Sequence, residues 1–251
     1  MKPILKTILI VTIFSVAMGY LESVIVVYLR CLYYPTGFKF PMKTIDHGNG
    51  VAEFWREFAT IVMLYSVGYL AGKNKPERFA FFIFNFAVWD IFYYVFLKAL
   101  INWPDSLLTW DILFLIPLPW IGPVLAPCIV SLSMIAVALL IIYFNELGND
   151  AKMIKSERLL IMSGCLVIIG SFVKDYIQNL NHNHDHSIWT PLSQSQLFAD
   201  FMTFVPVDYS WWLFAIGEAL ILSATLLFFS RQKALYRLKW QKCLPENYLI
   251  T

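Results

Sequence analysis

The sequence predicts an all-α membrane protein: a six-transmembrane-helix bundle with both termini in the cytoplasm. Three observations predict it. The 251 residues are 59% hydrophobic and only 14% charged, where soluble domains carry roughly 25% charge. A soluble fold this apolar could not cover its surface with polar groups. Six stretches approach the roughly 20 apolar residues that a helix needs to cross a bilayer. The basic residues alternate from one inter-span loop to the next, as the positive-inside rule requires.

Taken in order, the spans are expected at about 7–29, 52–72, 79–100, 122–144, 158–178 and 210–230, within one integral membrane domain. The first follows Lys2 and Lys6 and resembles a signal peptide. Its apolar run continues to Leu29, which predicts an uncleaved span. The second opens on Glu53, Arg56 and Glu57 and turns apolar through Ile61 to Leu70. The third is rich in phenylalanine. Between it and the fourth lies a proline-rich segment, Asp111 to Pro123. Pro117 and Pro119 bar a regular helix there. Unpaired backbone cannot face lipid, so this segment is expected to be an outer-side cap or re-entrant piece. Gly164, Gly170 and Ser171 supply small residues for close packing in the fifth. After the sixth, residues 231–251 form a basic cytoplasmic tail that could touch anionic lipid.

With the N-terminus inside, all but six of the 19 basic residues fall on the cytoplasmic side; Arg30, Lys39, Lys43, Arg56, Lys98 and Lys174 remain. Tryptophans gather at the opposite interface, at Trp55, Trp103, Trp110, Trp120, Trp189, Trp211 and Trp212. The longer loops lie on that outer side, where function is expected.

The candidate site is a set of carboxylates at one depth. Glu22, Asp90 and Glu218 lie inside spans, Glu53 and Glu57 open one, and Asp175 ends another beside Lys174. A carboxylate in lipid costs a few kcal/mol. Several at one level are expected to share a polar pocket facing outward, with Arg56 and Lys98 as partners. Tyr93 and Tyr94 follow Asp90 at helical spacing and add hydroxyls on its face. The expected ligand is a cation, a proton, or a small polar or lipid-linked molecule, with membrane lipid as surroundings. Catalysis on a lipid-linked substrate is a second reading. There, one carboxylate would act as base and another as acid, with Asp90 and Tyr93 or Tyr94 the expected pair and Glu57 a further candidate. A purely structural charge network is a third.

His182, His184 and His186 alternate in a loop and, if extended, could reach one divalent metal. The four cysteines lack metal spacing, although Cys31 and Cys128 could pair. Net charge is only +2, with no basic arm, so no nucleic-acid partner is expected. Motifs of serine hydrolases, zinc proteases, phosphate loops and dinucleotide folds do not occur.

Phe86 to Tyr94, Trp103-Pro104 and the run from Trp110 to Pro127 resemble a group of uncharacterised prokaryotic polytopic membrane proteins. Gly19-Tyr-Leu-Glu22-Ser and Arg56-Glu57 fit the same group. The resemblance covers roughly the first half of the chain. It implies a bacterial-type inner (plasma) membrane, without activity or functional residues.

Overall fold

The computed structural model describes residues 3–35, 37–43, 47–116, 118–183 and 202–243. It is helical: α1 Pro3–Tyr33, α2 His47–Ala71, α3 Lys75–Ile101, α4 Leu125–Glu146, α5 Lys155–Asn183 and α6 Trp211–Cys243. Five of these, all but α2, are long and apolar enough to cross a membrane by length and composition. The chain is a multi-pass membrane protein. At roughly 1.5 Å per residue, α2 has the length for a crossing. It lacks the composition, because Glu53, Arg56 and Glu57 occupy its first turns.

The proline-rich segment is neither helix nor loop. It folds into an antiparallel hairpin of β1 Trp110–Phe114 and β2 Trp120–Pro123, pairing Trp110 with Pro123 and Ile112 with Ile121. A hairpin tolerates proline at its turn and its strand ends, where no ladder donor is missed. It also pairs part of its own backbone within an apolar setting.

α3 is the central helix, in contact with α1, α2 and α4. Its start is fixed by Asn74, whose side chain accepts from the Glu77 N–H. Pro76 in the first turn suits a position where no intrahelical donor is lost. Buried Asn85 joins three helices. It accepts from Ser15 on α1 and donates to the Leu64 carbonyl on α2 at 3.0 Å. Such polar links hold membrane helices where hydrophobic force is weak. Gly19 lets α1 approach α3, since a Cβ there would stand 3.0 Å from the Trp89 carbonyl.

α5 and α6 form a second pair. Gly164 and Gly217 face each other: a Cβ on Gly217 would lie 2.9 Å from the Gly164 carbonyl. α4 and the hairpin connect this pair to α1–α3.

The two ends of the bundle differ. At one, the α4–α5 connection docks on the far part of α6. Arg231 donates to both Glu157 oxygens, and Asn149 donates to Gln232. Lys73 pairs with Glu146 at 2.8 Å. The other end carries the hairpin and the acids. α6 runs unbroken to Cys243, so residues 231–243, expected as part of a tail, continue the helix. The basic residues there extend the rod instead of ending it.

Candidate functional site

A cavity of about 800 Å³ opens at the hairpin end. Its walls come from the last turns of α1, the first turns of α2, the middle of α3 and the hairpin, with Tyr176 of α5 and Met202. The volume lies within the roughly 300–1,000 Å³ typical of small-molecule sites. Most of the lining is apolar or aromatic, including Val26, Leu29, Phe38, Phe54, Trp55 and Phe114. Phe54 and Trp55, in its α2 wall, are themselves exposed.

Seven of the nine side chains expected to form the site line this space: Glu22, Glu53, Arg56, Glu57, Asp90, Tyr93 and Tyr94. Arg56 is their organiser. It donates to Glu22 on α1 and, at 2.8 Å, to Glu53 one turn earlier on its own helix. Thr60 stands one turn beyond, its hydroxyl donating to the Arg56 carbonyl. Glu57 Oε2 accepts the Leu115 N–H at 2.9 Å, fastening α2 to the hairpin. Asp90 Oδ2 accepts from Ser131 on α4 at 2.8 Å. The Tyr94 hydroxyl donates to Asp111 Oδ2 at 3.3 Å.

The other two do not join. Lys98 continues the Tyr94 stripe by one turn, but it has reached the end of α3. Its ammonium donates to the Asn102 and Pro104 carbonyls, at 3.3 and 2.9 Å. A cation is favoured there, where a helix presents unpaired carbonyls. Glu218 faces α4, where Ser133 donates to its Oε2 at 2.7 Å. It does not reach the cavity, because α6 packs on α5 and α4. Asp175 is likewise outside the lining. Its neighbour Lys174 donates to Ser210 at 2.7 Å.

Two residues matter more than the sequence indicated. Asp111, on β1, is buried and contacts Arg30 at 3.3 Å. Burial raises its carboxyl to about 6, although Arg30 and Tyr94 both pull it down. The Arg30 guanidinium lies over the Trp103 ring at 3.7 Å and the Phe38 ring at 4.8 Å. The signal for this pair was Arg30 at the end of an apolar run. Its partner, 81 residues away, has no local marker.

The histidine tract falls largely outside the described residues. His182 belongs to the last turn of α5, not to an extended run. Its side chain, His184 and His186 lie outside them. Among the described residues, no group of three His, Cys, Asp or Glu could hold a metal. Cys31 and Cys128 are free. No family model, curated protein or solved structure matches the chain.

Proposed function

We propose that this is an inner-membrane protein of six crossings, both termini cytoplasmic, whose outward-facing cavity binds an amphipathic, lipid-like ligand. The cavity itself carries the reading. It is too large and too apolar for a proton or a bare cation, yet one wall holds carboxylates, a guanidinium and hydroxyls. An amphiphile would place its head against that wall and its apolar part against Val26, Leu29 and Phe54. The exposed α2 wall would admit it from lipid.

Support for the sixth crossing comes from α2 packing on α3 through a short turn, where Gly68 and Gly72 abut Phe82 and Arg78. Antiparallel neighbours joined so tightly share one depth. The basic end would then be cytoplasmic.

A second reading, an intramembrane enzyme, draws on Glu57 and Asp90. Each keeps one oxygen outside any hydrogen bond among the described residues, leaving it available as an acid or base. Tyr94 is a weaker member, since its hydroxyl is already engaged by Asp111.

The test is lipid retention. The full chain is purified in detergent and its co-purified molecules are identified by mass spectrometry. The wild type should retain an amphiphile that Val26→Trp, which fills the cavity, releases. Glu57→Gln and Asp90→Asn should keep the fold. Absence of any such molecule from the wild type, or equal retention by Val26→Trp, would overturn the reading. Unfolding of both neutral variants would point to a structural network instead.

A further inference from the structure

The cavity is lined by residues whose hydrogen-bonding capacity is not fully used, and their placement narrows the ligand that the preceding reading proposes. The donors come first. Arg30 Nη1 is buried without a hydrogen bond among the described residues, and Nη2 makes one long contact to Asp111 at 3.3 Å. Trp89 Nε1 is also buried and unpartnered. The acceptors are the second oxygens of Glu57 and Asp90. Neither is hydrogen-bonded among the described residues, and neither is sealed from the void as Nη1 is. Tyr93 lines the same cavity, and its hydroxyl makes no hydrogen bond among the described residues.

A simple cation would satisfy the acids and leave Arg30 unmet. A simple anion would do the reverse, and the carboxylates would repel it. A ligand carrying both charges a few bonds apart meets both Arg30 and the acids. Guanidinium is the side chain best shaped for phosphate oxygens, and carboxylates in a cavity with aromatic walls suit an ammonium.

We propose that the cavity takes the head of a zwitterionic aminophospholipid. Its phosphate sits on Arg30, its ammonium lies between Asp90 and Glu57, and the Tyr93 hydroxyl bridges them. Seating the phosphate requires the guanidinium to swing partly off Asp111, which brings the buried Nη1 into the void. The length of that contact makes the exchange easy, and the flanking Trp103 and Phe38 rings keep the cation in place through the movement.

The experiment uses the full chain, delipidated in amphipol, and four probes by isothermal titration calorimetry. Dihexanoyl-phosphatidylethanolamine carries both charges, dihexanoyl-phosphatidylglycerol the anion alone, octylammonium the cation alone, and octyl glucoside neither. The zwitterion should bind at least tenfold more tightly than each of the others. Arg30→Gln should weaken both phospholipids and spare octylammonium. Asp90→Asn should weaken the zwitterion and octylammonium and spare phosphatidylglycerol. If Arg30→Gln does not fold, the ranking on the wild-type chain decides alone. Preference for a single-charge probe or for the glucoside would overturn the head-group assignment and leave the amphiphile pocket standing. No binding by any of the four would remove both.

Discussion

Arg56 offers the sharpest test of what holds the cavity together. Its guanidinium lies between Glu22 and Glu53, and the three side chains keep only 19%, 9% and 16% of their surface exposed. Arg56→Met would strand Glu22 against α2 with only the Thr60 hydroxyl near it, at 3.4 Å. Removing one partner of a buried pair costs about 3–5 kcal/mol, because the remaining charge is left desolvated. Glu53, beside the exposed Phe54, can rehydrate and adds less. For a chain of this size each kcal/mol moves the midpoint by roughly 2–4 °C, so the loss should be on the order of 10 °C. The assay is thermal unfolding in detergent, followed by tryptophan fluorescence. The double variant Glu22→Gln with Arg56→Met should regain much of the loss, since no ionised group is then abandoned on α1. A loss below about 1 kcal/mol, the range of exposed pairs, or no recovery in the double variant, would refute a buried bridge between α1 and α2.

Three further outcomes are expected. Asp111 titrates near 6 in the folded protein against an ordinary 3.8; the folded state therefore binds more protons between these values, and stability should fall as pH rises through that window, then level. The Asp111 share of the slope should be at most about 1.4 kcal/mol per pH unit and should appear as the difference between wild type and Asp111→Asn in melting from pH 4 to 8. Gly217→Leu should destabilise by about 1–3 kcal/mol through overpacking, because a Cβ there already meets Ile168 at 2.5 Å; cysteine cross-linking of α5 to α6 would report the separation. Glu157→Gln should cost about 2–3 kcal/mol, since Glu157 is 1% exposed and accepts from Arg231 and the Ile154 N–H; ligand retention should stay unchanged, because this pair lies at the opposite end.

The membrane class and most helix bounds were legible because they depend on local composition. α4 follows directly on the prolines, whereas α3 starts at Lys75, capped by Asn74, ahead of the expected 79. Counting residues from each span's end grouped Glu22, Glu57 and Asp90, and the three line one cavity. Direction around the bundle was not legible. Glu218 reads as a member of the same layer, yet α6 turns it toward Ser133, a matter of which helices neighbour which. Lys98 misled because helical spacing was extended past the point where the helix stops. The hairpin escaped because Pro117 and Pro119 exclude helix without specifying what replaces it. Arg30 and Asp111 needed the tertiary fold outright, since neither sequence neighbourhood names the other.

The position of α3 bears on how this chain is assembled at the ribosome. α1 and α2 touch α3 far more than they touch each other, and Asn85 on α3 supplies the polar link that reaches both. A nascent chain released after residue 74 would carry two helices with little to keep them side by side beyond the contact between Glu22 and Arg56. Until the third helix emerges, those two carboxylate-bearing segments depend on the insertion machinery for shelter. Premature truncation at that point should therefore yield a substrate for membrane proteases instead of a stable half-protein.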